Sequence, residues 1–382
     1  MAVSAPSRSL TAVKSHEVRV DASKPLKAEP GTGHNRWHPD IPPILRVDPG
    51  DRVALETRDA LDGQITARSK LEDVGKVNLN VVHPLTGPVH VNGAEPGDML
   101  EVKILEVEPA PFGFTVQIPG FGFLRDEFSE PFLVRWRIAD GVAESDDLPR
   151  IRIHGAPFPG TIGVAPSRSL MQTIVKREKE LLDRGGFVLP PEPADAVPSD
   201  ARLAAEALRT VPPRETAGNV DIKNLCAGTT LLIPVQVEGA LFSVGDAHFA
   251  QGDGEICGTA IEMQSVFHAQ FFLRKGEAAK RRSRDVSYFR DTYAQAPELA
   301  VPRRYYATTG LSIEKSGQNQ SENATLAARN AMLNMIDHIE ERGYSRQQAY
   351  AICSVAVDLR ISEVVDVPNF VVSAVLPLDI FV

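Results

Sequence analysis

The chain has 382 residues, 43% of them hydrophobic, a formal charge of −9 and a sequence pI near 5.6. That length can bury a sizeable core, while the acidic balance and the lack of a long basic run exclude nucleic acid and anionic membranes as expected partners. The 28 Gly and 29 Pro favour a turn-dense, β-rich architecture over a helical bundle. Cys226, Cys257 and Cys353 form no C-x-x-C, the first twenty residues hold no continuous apolar run, and no window approaches 18 apolar residues. The expectation is a soluble, cytoplasmic protein.

Residues 1–160 read as short strands and turns. DPGDRVALETRDA (48–60) and EPGDMLEVKILEVEP (95–109) each place Pro-Gly-Asp before an alternating strand. Turn chemistry explains the shared pattern without an internal duplication. RSLMQTIVKREKELLDRGG (168–186) has helical spacing and ends in glycine, and SDARLAAEALRTV predicts a short Ala-rich helix after a Pro-rich connector. Residues 167–214 are thus a helical insertion between β regions. TTLLIPVQVEGALFSV and ICGTAIEMQSVFHAQFFL return to strands. ENATLAARNAMLNMIDHIEERG is amphipathic, with Ser321 as its expected N-cap, and Ser345 and Gln348 have capping-box spacing before a second helix. The resulting class is β-rich α+β, with packed antiparallel sheets. Residues 1–300 form the core with its helical insertion; residues 301–382 supply a helical hairpin and a terminal strand packed on that core.

The chemistry concentrates in LFSVGDAHFAQGDGEICGTAIEM (241–263). A tight hairpin with Gln251–Gly254 as its loop would pair Ala250 with Glu255, His248 with Cys257 and Asp246 with Thr259. Asp246, His248, Glu255 and Cys257 would then share one face, with Asp253 in the loop. Carboxylates and an imidazole so arranged suit a divalent cation or a carboxylate active site; an ion-paired loop is the alternative. HNRWHPDIPP (34–43) is broken by prolines, so the helical two-histidine zinc pattern does not apply to it. VVHPLTGPVHVNGAEPGD (81–98) adds His83, His90, Glu95 and Asp98. There is no G-x-S-x-G elbow and no G-x-x-x-x-G-K-[ST] loop; Ser312-Ile-Glu-Lys315 matches S-x-x-K without its companion motifs.

Together these stretches resemble the acetamidase/formamidase family. HNRWHPDIPP and the tail from PRRYYATTG to QQAYAICSVAVDLRISEVVDVPN resemble its longer, formamidase-like branch. TGPVHVNGAEPGDMLEVKI, TIGVAPSRSL and NVDIKNLCAGTTLLIPVQVEGALFSVGDAHFAQGDGEICGTAIEM resemble its most characteristic blocks. The resemblance covers residues 34–380. It implies a β-rich, oligomeric hydrolase that cleaves small carboxamides to acid and ammonia. The family's polar positions fall on His34, Asp59, Glu95, Asp98, Asn219, Asp221, Asp246, His248, Asp253, Glu255 and Glu262. Two departures concern the substrate. Where relatives read His-Gly-Gly-Asn-x-Asp this chain reads Glu215-Thr-Ala-Gly-Asn-Val-Asp221, and His90 stands where relatives often have Tyr. A γ-lactam is therefore the alternative substrate class.

The resulting expectation is a divalent metal, zinc before calcium, held by Asp246, His248 and Glu255 with His34 as a distant ligand. Glu262, Glu95 or Asp221 would be the general base, and Asn219, His90 and Asp59 would contact substrate. A homo-oligomer is expected. A rival from another class is a non-catalytic protein rigidified by calcium or a structural metal.

Overall fold

A computed structural model describes residues 13–292 and 304–382. The strands that position the site are Arg52–Thr57 (β1), Leu85–Val91 (β2), Met99–Gln117 (β3), Phe132–Ala139 (β4), Phe158–Val164 (β5), Ala217–Asn219 (β6), Phe242–His248 (β7) and Glu262–Arg274 (β8). They belong to one 15-stranded sheet whose path runs β4-β3-β8-β7-β5-β6. Strand β8 shows why: from Met263 to Phe271 every second residue is buried, the period of a half-covered strand. It pairs antiparallel with β3 and with β1. Strands β2, β5 and β7 are buried at every residue. Their near-continuous apolar and small residues are those of strands covered on both faces.

Both Pro-Gly-Asp turns are built alike. Gly50 (φ 97°) and Gly97 (φ 93°) adopt left-handed backbone. Each Asp side chain accepts from the backbone N–H three residues earlier, Asp51 from Asp48 and Asp98 from Glu95. Turn chemistry alone accounts for the repeated pattern.

In the insertion, Ser167 caps Arg168–Asp183 (α1) by accepting from the Leu170 N–H. The Ala-rich helix is shorter than its sequence suggests, Ala201–Glu206 (α2). Leu208–Arg209 leaves it to pair antiparallel with Arg36–Trp37. Trp37, Leu85, Met171, Ile174 and Leu208 then form an apolar cluster that ties the insertion to the sheet.

The C-terminal part contains Tyr305–Leu311 (β9), Ala324–Glu340 (α3), Arg346–Ala356 (α4), Asp358–Glu363 (β10) and Val371–Pro377 (β11), with β11 central in a three-stranded sheet. The Ser345–Gln348 capping box is present. The cap of α3 is Asn323, which accepts from the Leu326 N–H at 2.9 Å, rather than Ser321. Ile336, Ile352 and Leu376 share one buried cluster with Val102, Val244 and Phe267, so this part packs on the strand frame. No described helix is long and apolar enough to cross a membrane.

Helix α4 braces the loop 249–261. Gly252 N–H donates to the Ser354 carbonyl at 2.8 Å, Cys257 N–H to Ser354 Oγ at 3.1 Å, and Ser354 Oγ to the Thr259 carbonyl at 2.7 Å. A Cβ at residue 252 would stand 2.2 Å from the Val357 carbonyl. Buried Tyr350 donates to the Ile256 carbonyl and accepts from the Leu124 N–H at 3.0 Å. Tyr350→Phe leaves the Leu124 N–H buried without its partner, while the Ile256 carbonyl keeps the Phe123 N–H at 2.8 Å, so it should cost about 1–3 kcal/mol of stability. Denaturant unfolding measures this, and unchanged stability would show that the brace is not needed.

Candidate active site

The structure replaces the expected tight hairpin by a wide loop. Strand β7 ends at His248 and β8 begins at Glu262, with the registers His248↔Glu262 and Ala247↔Met263. Phe249 and Ala250 still bond to Ile261, but residues 251–260 bulge out onto α4. Tertiary bonds to Ser354 and Tyr350 outweigh the local preference of Gly-Asp-Gly for a turn. Asp246, His248 and Glu255 still meet, by a different path: Glu255 returns from the loop, and Glu262 stands across the strand from His248.

The geometry centres on His248. Its Nε2 lies 3.2 Å from Glu262 Oε2, 3.4 Å from Asp246 Oδ1 and 3.9 Å from Glu255 Oε1. Asp221 faces the same point: a Cβ at Gly160 would stand 2.7 Å from both Asp221 Oδ1 and His248 Nε2. His83 Nε2 lies 3.8 Å from Asp246 Oδ2, and Thr161 Oγ1 donates to Asp246 at 3.0 Å or to Asn219 at 2.6 Å. Asp221 (φ 47°), Asp246 (φ 54°) and Glu255 (φ 43°) all adopt left-handed backbone that non-glycine residues avoid. Such strain clusters at functional sites.

Charge follows burial. Burial pushes Glu255 up to about 8 and Glu262 up to about 7, and raises Asp221 well above the carboxylate range, with Glu255 reinforcing it. Burial also opposes ionisation of Asp246, but His83 and His248 outweigh it and hold that carboxyl low. Burial opposes a charged His248; Glu262 and Asp246 overcome this and raise it.

Other residues singled out in the sequence stand elsewhere. Glu95 is an exposed turn residue paired with Lys275 Nζ at 2.9 Å, which removes it as a base. Asp98 joins the same lysine and caps Gly276. Both ring nitrogens of His34 are engaged, Nδ1 with the Arg36 carbonyl at 2.5 Å and Nε2 with Ser243 Oγ at 2.7 Å, so it is not joined to the cluster. His90 fills the space left by the missing side chain of Gly239. Asp59 is spent on its own loop, accepting from Leu61 and Gly63 N–H. Asp253 pairs with Lys223 at 3.6 Å. Cys257 is buried and its thiol pushed up to about 11, which suits packing rather than attack.

A cavity of about 500 Å³ opens onto the cluster. Asp221, Asp246, Glu255, Glu262, His83 and Asn219 line it at the polar end; Phe121, Phe123, Phe187, Leu189 and Val211 supply apolar wall. Phe187, Leu189, Arg209 and Val211 come from the insertion. Asn219 thus reaches the cavity while His90 and Asp59 do not line it.

The profile of the Acetamidase/Formamidase family matches residues 19–382. The chain belongs to the acetamidase/formamidase family. It is 38% identical over 384 residues to a formamidase of Methylophilus methylotrophus, covering 95% of this chain and 93% of that protein. An acetamidase of Mycolicibacterium smegmatis is 36% identical over 368 residues, covering 87% of each. Among solved structures, a gamma lactamase from Delftia acidovorans superposes with a TM-score of 0.90 at 36% identity, over 96% of this chain and 93% of that one. This similarity makes the chain an amidohydrolase.

Within this family member, the cluster has the donor set of a divalent-metal site. Asp221, His248 and Glu255 bring ligand atoms within 4.8 Å of one another, as do Asp246, His248 and Glu262. Asp221 Oδ1, His248 Nε2 and Glu262 Oε2 are buried without a hydrogen-bond partner. Gln251 Nε2 donates to the Asp221 carbonyl at 2.8 Å, so Gln251 Oε1 is the acceptor facing His248 Nδ1 at 2.9 Å. That assigns the proton to Nδ1 and turns the Nε2 lone pair of the neutral ring inward, the support usual behind a ligand histidine. In the sequence His83 stands out only as part of a longer stretch, and Gly160, Thr161 and Gln251 carry no local signal of a place beside the cluster. Gly160→Ala should force His248 and Asp221 apart and lower kcat/KM by on the order of 10²-fold, the penalty of a misplacement near 1 Å. Steady-state kinetics on folded variant protein measure this; wild-type kinetics would mean that the crowding at Gly160 is irrelevant.

Proposed function

We propose that this amidohydrolase hydrolyses a carboxamide with water activated at the His248 cluster, and that Asp221, His248 and Glu255 hold a divalent metal, zinc by its donor preference. The observation that carries the reading is a set of four carboxylates converging on one imidazole at the end of a cavity, with three inward atoms that make no hydrogen bond. Choosing that triad leaves Glu262 free for proton transfer. A divalent metal held there would polarise the amide carbonyl and lower the pKa of water.

The remaining steps use the chain's own groups. Ala260 N–H fixes Glu262 Oε1 at 2.9 Å, which leaves Oε2 to take the proton of the attacking water. The C–N bond then breaks as Glu262 returns that proton to the departing nitrogen. A linear amide yields a carboxylate and ammonia; a γ-lactam yields one amino acid. With Nε2–H towards Asp246, buried His83 offers Nδ1 as an acceptor for the amide N–H. The lactam reading is supported by the fold similarity to the gamma lactamase and by a cavity far larger than formamide. Buried Cys257 and Cys353, joined in no disulfide, support a reducing, cytoplasmic setting. Exposed Ile361, Val365 and Val367 beside β10 support a homo-oligomer.

The test is ammonia or amino-acid release from formamide, acetamide and a γ-lactam, on metal-analysed protein before and after chelation. Turnover should vanish with the metal and return with zinc. Glu262→Gln should lower kcat by about 10²–10⁴-fold while retaining metal. Full turnover after complete metal removal would put the chemistry on the carboxylates alone.

A further inference from the structure

The cavity also carries an unpaired cation. Arg209 is 6% exposed and lines the cavity beside His83, on whose ionisation its charge acts. Its Nη2 donates to the Leu79 carbonyl at 2.6 Å, and Nη1 reaches Asn80 Oδ1 only at 3.5 Å. Its Nε–H is buried with no acceptor. Among the described residues no carboxylate forms an ion pair with it; Glu192 acts on it only from a distance. The neighbouring Arg36, 1% exposed, is a second cation and cannot neutralise it. Its guanidinium donates to the backbone carbonyls of Asn35, Asn80, Glu192 and Ala194. Buried guanidinium groups are ordinarily paired, because desolvating an uncompensated charge is expensive. Arg36 is fully hydrogen-bonded, whereas Arg209, which lines the cavity, keeps its Nε–H without an acceptor.

Cavity size points the same way. Formamide fills roughly two water volumes, about 60 Å³, in a cavity of about 500 Å³. Much of the wall is apolar, with Val82, Phe121, Phe187 and Val211 among its residues. A one- or two-carbon amide would leave both this wall and the guanidinium without a partner.

We propose that Arg209 binds a carboxylate carried by the substrate apart from its scissile amide, so that the preferred substrates are monoamides of dicarboxylic acids rather than formamide or acetamide. This deepens the amidohydrolase reading and rests on it. The planar guanidinium edge suits a carboxylate, and a charge-assisted bond in a water-poor cavity discriminates strongly against a neutral analogue.

The test compares oxamate, malonamate and succinamate with their neutral diamides, oxamide, malonamide and succinamide, by ammonia release. For at least one pair, wild-type kcat/KM should favour the anionic monoamide by on the order of tenfold or more. That ratio should collapse towards one in Arg209→Gln and recover in part in Arg209→Lys, a selectivity change that a merely structural arginine would not give. Equal use of every monoamide and its diamide by wild type, or an equal loss on both in Arg209→Gln, overturns the proposal. Hydrolysis of neutral amides without that preference defeats this inference alone. If no amide is hydrolysed, the amidohydrolase reading itself fails. Calorimetric binding of succinamate against succinamide to wild-type protein then still decides the role of Arg209: tighter succinamate binding supports it and equal binding overturns it.

Discussion

Four carboxylates and one imidazole, three of these groups buried and two half-buried, must share a space a few ångströms wide. Isolated buried carboxylates are costly, and like charges at this range cannot all ionise in a dry interior. Much of the surrounding structure serves that constraint. Gly160 gives up its side chain so that His248 and Asp221 can approach. Gln251 fixes the imidazole tautomer, Thr161 and the Ala260 N–H each satisfy one carboxylate, and three of the four acids hold left-handed backbone. A divalent cation at the centre would supply the positive charge that these neutral donors cannot.

Rigidity comes from two directions. Strands β5 and β7, buried on both faces, fix Thr161, Asp246 and His248 from below. The loop that returns Glu255 has little regular structure of its own and is held by α4 through Ser354 and Tyr350. The insertion contributes Phe187, Leu189, Arg209 and Val211 to the cavity wall away from the acids. The acidic end of the cavity is thus made by the strands and the loop between β7 and β8, and part of its apolar wall by the insertion.

The sequence made the frame legible where local chemistry decides it. Alternation marked β1 and β3, Ser345 and Gln348 marked the start of α4, and the Pro-Gly-Asp pattern marked the turns at Gly50 and Gly97. It also drew attention to Asp246, His248, Glu255 and Glu262, because an acid-rich glycine loop between strands is unusual on any local ground. The route by which they converge was not legible. A hairpin between residues 246 and 259 is the best local solution, but bonds to a helix a hundred residues away pull the loop open. His34, His90 and Glu95 carry the right atoms, but each is occupied by a neighbour distant in sequence: Ser243, Gly239 and Lys275. Arg209 gave no signal, since an arginine at the end of an Ala-rich stretch reads as solvated helix; its pairing with Trp37 and Arg36 through the strand Leu208–Arg209 is what buries it.

The central claim is that the His248 cluster is built around a cation. The most direct measurement is the thermal midpoint of the full-length protein as purified, after exhaustive chelation, and after readdition of zinc, with metal content determined at each stage. The account predicts bound divalent metal near one per chain, a midpoint several degrees lower without it, and recovery on readdition, because ligand binding to the native state stabilises by mass action. Metal-free protein with an unchanged midpoint that ignores added zinc would contradict it.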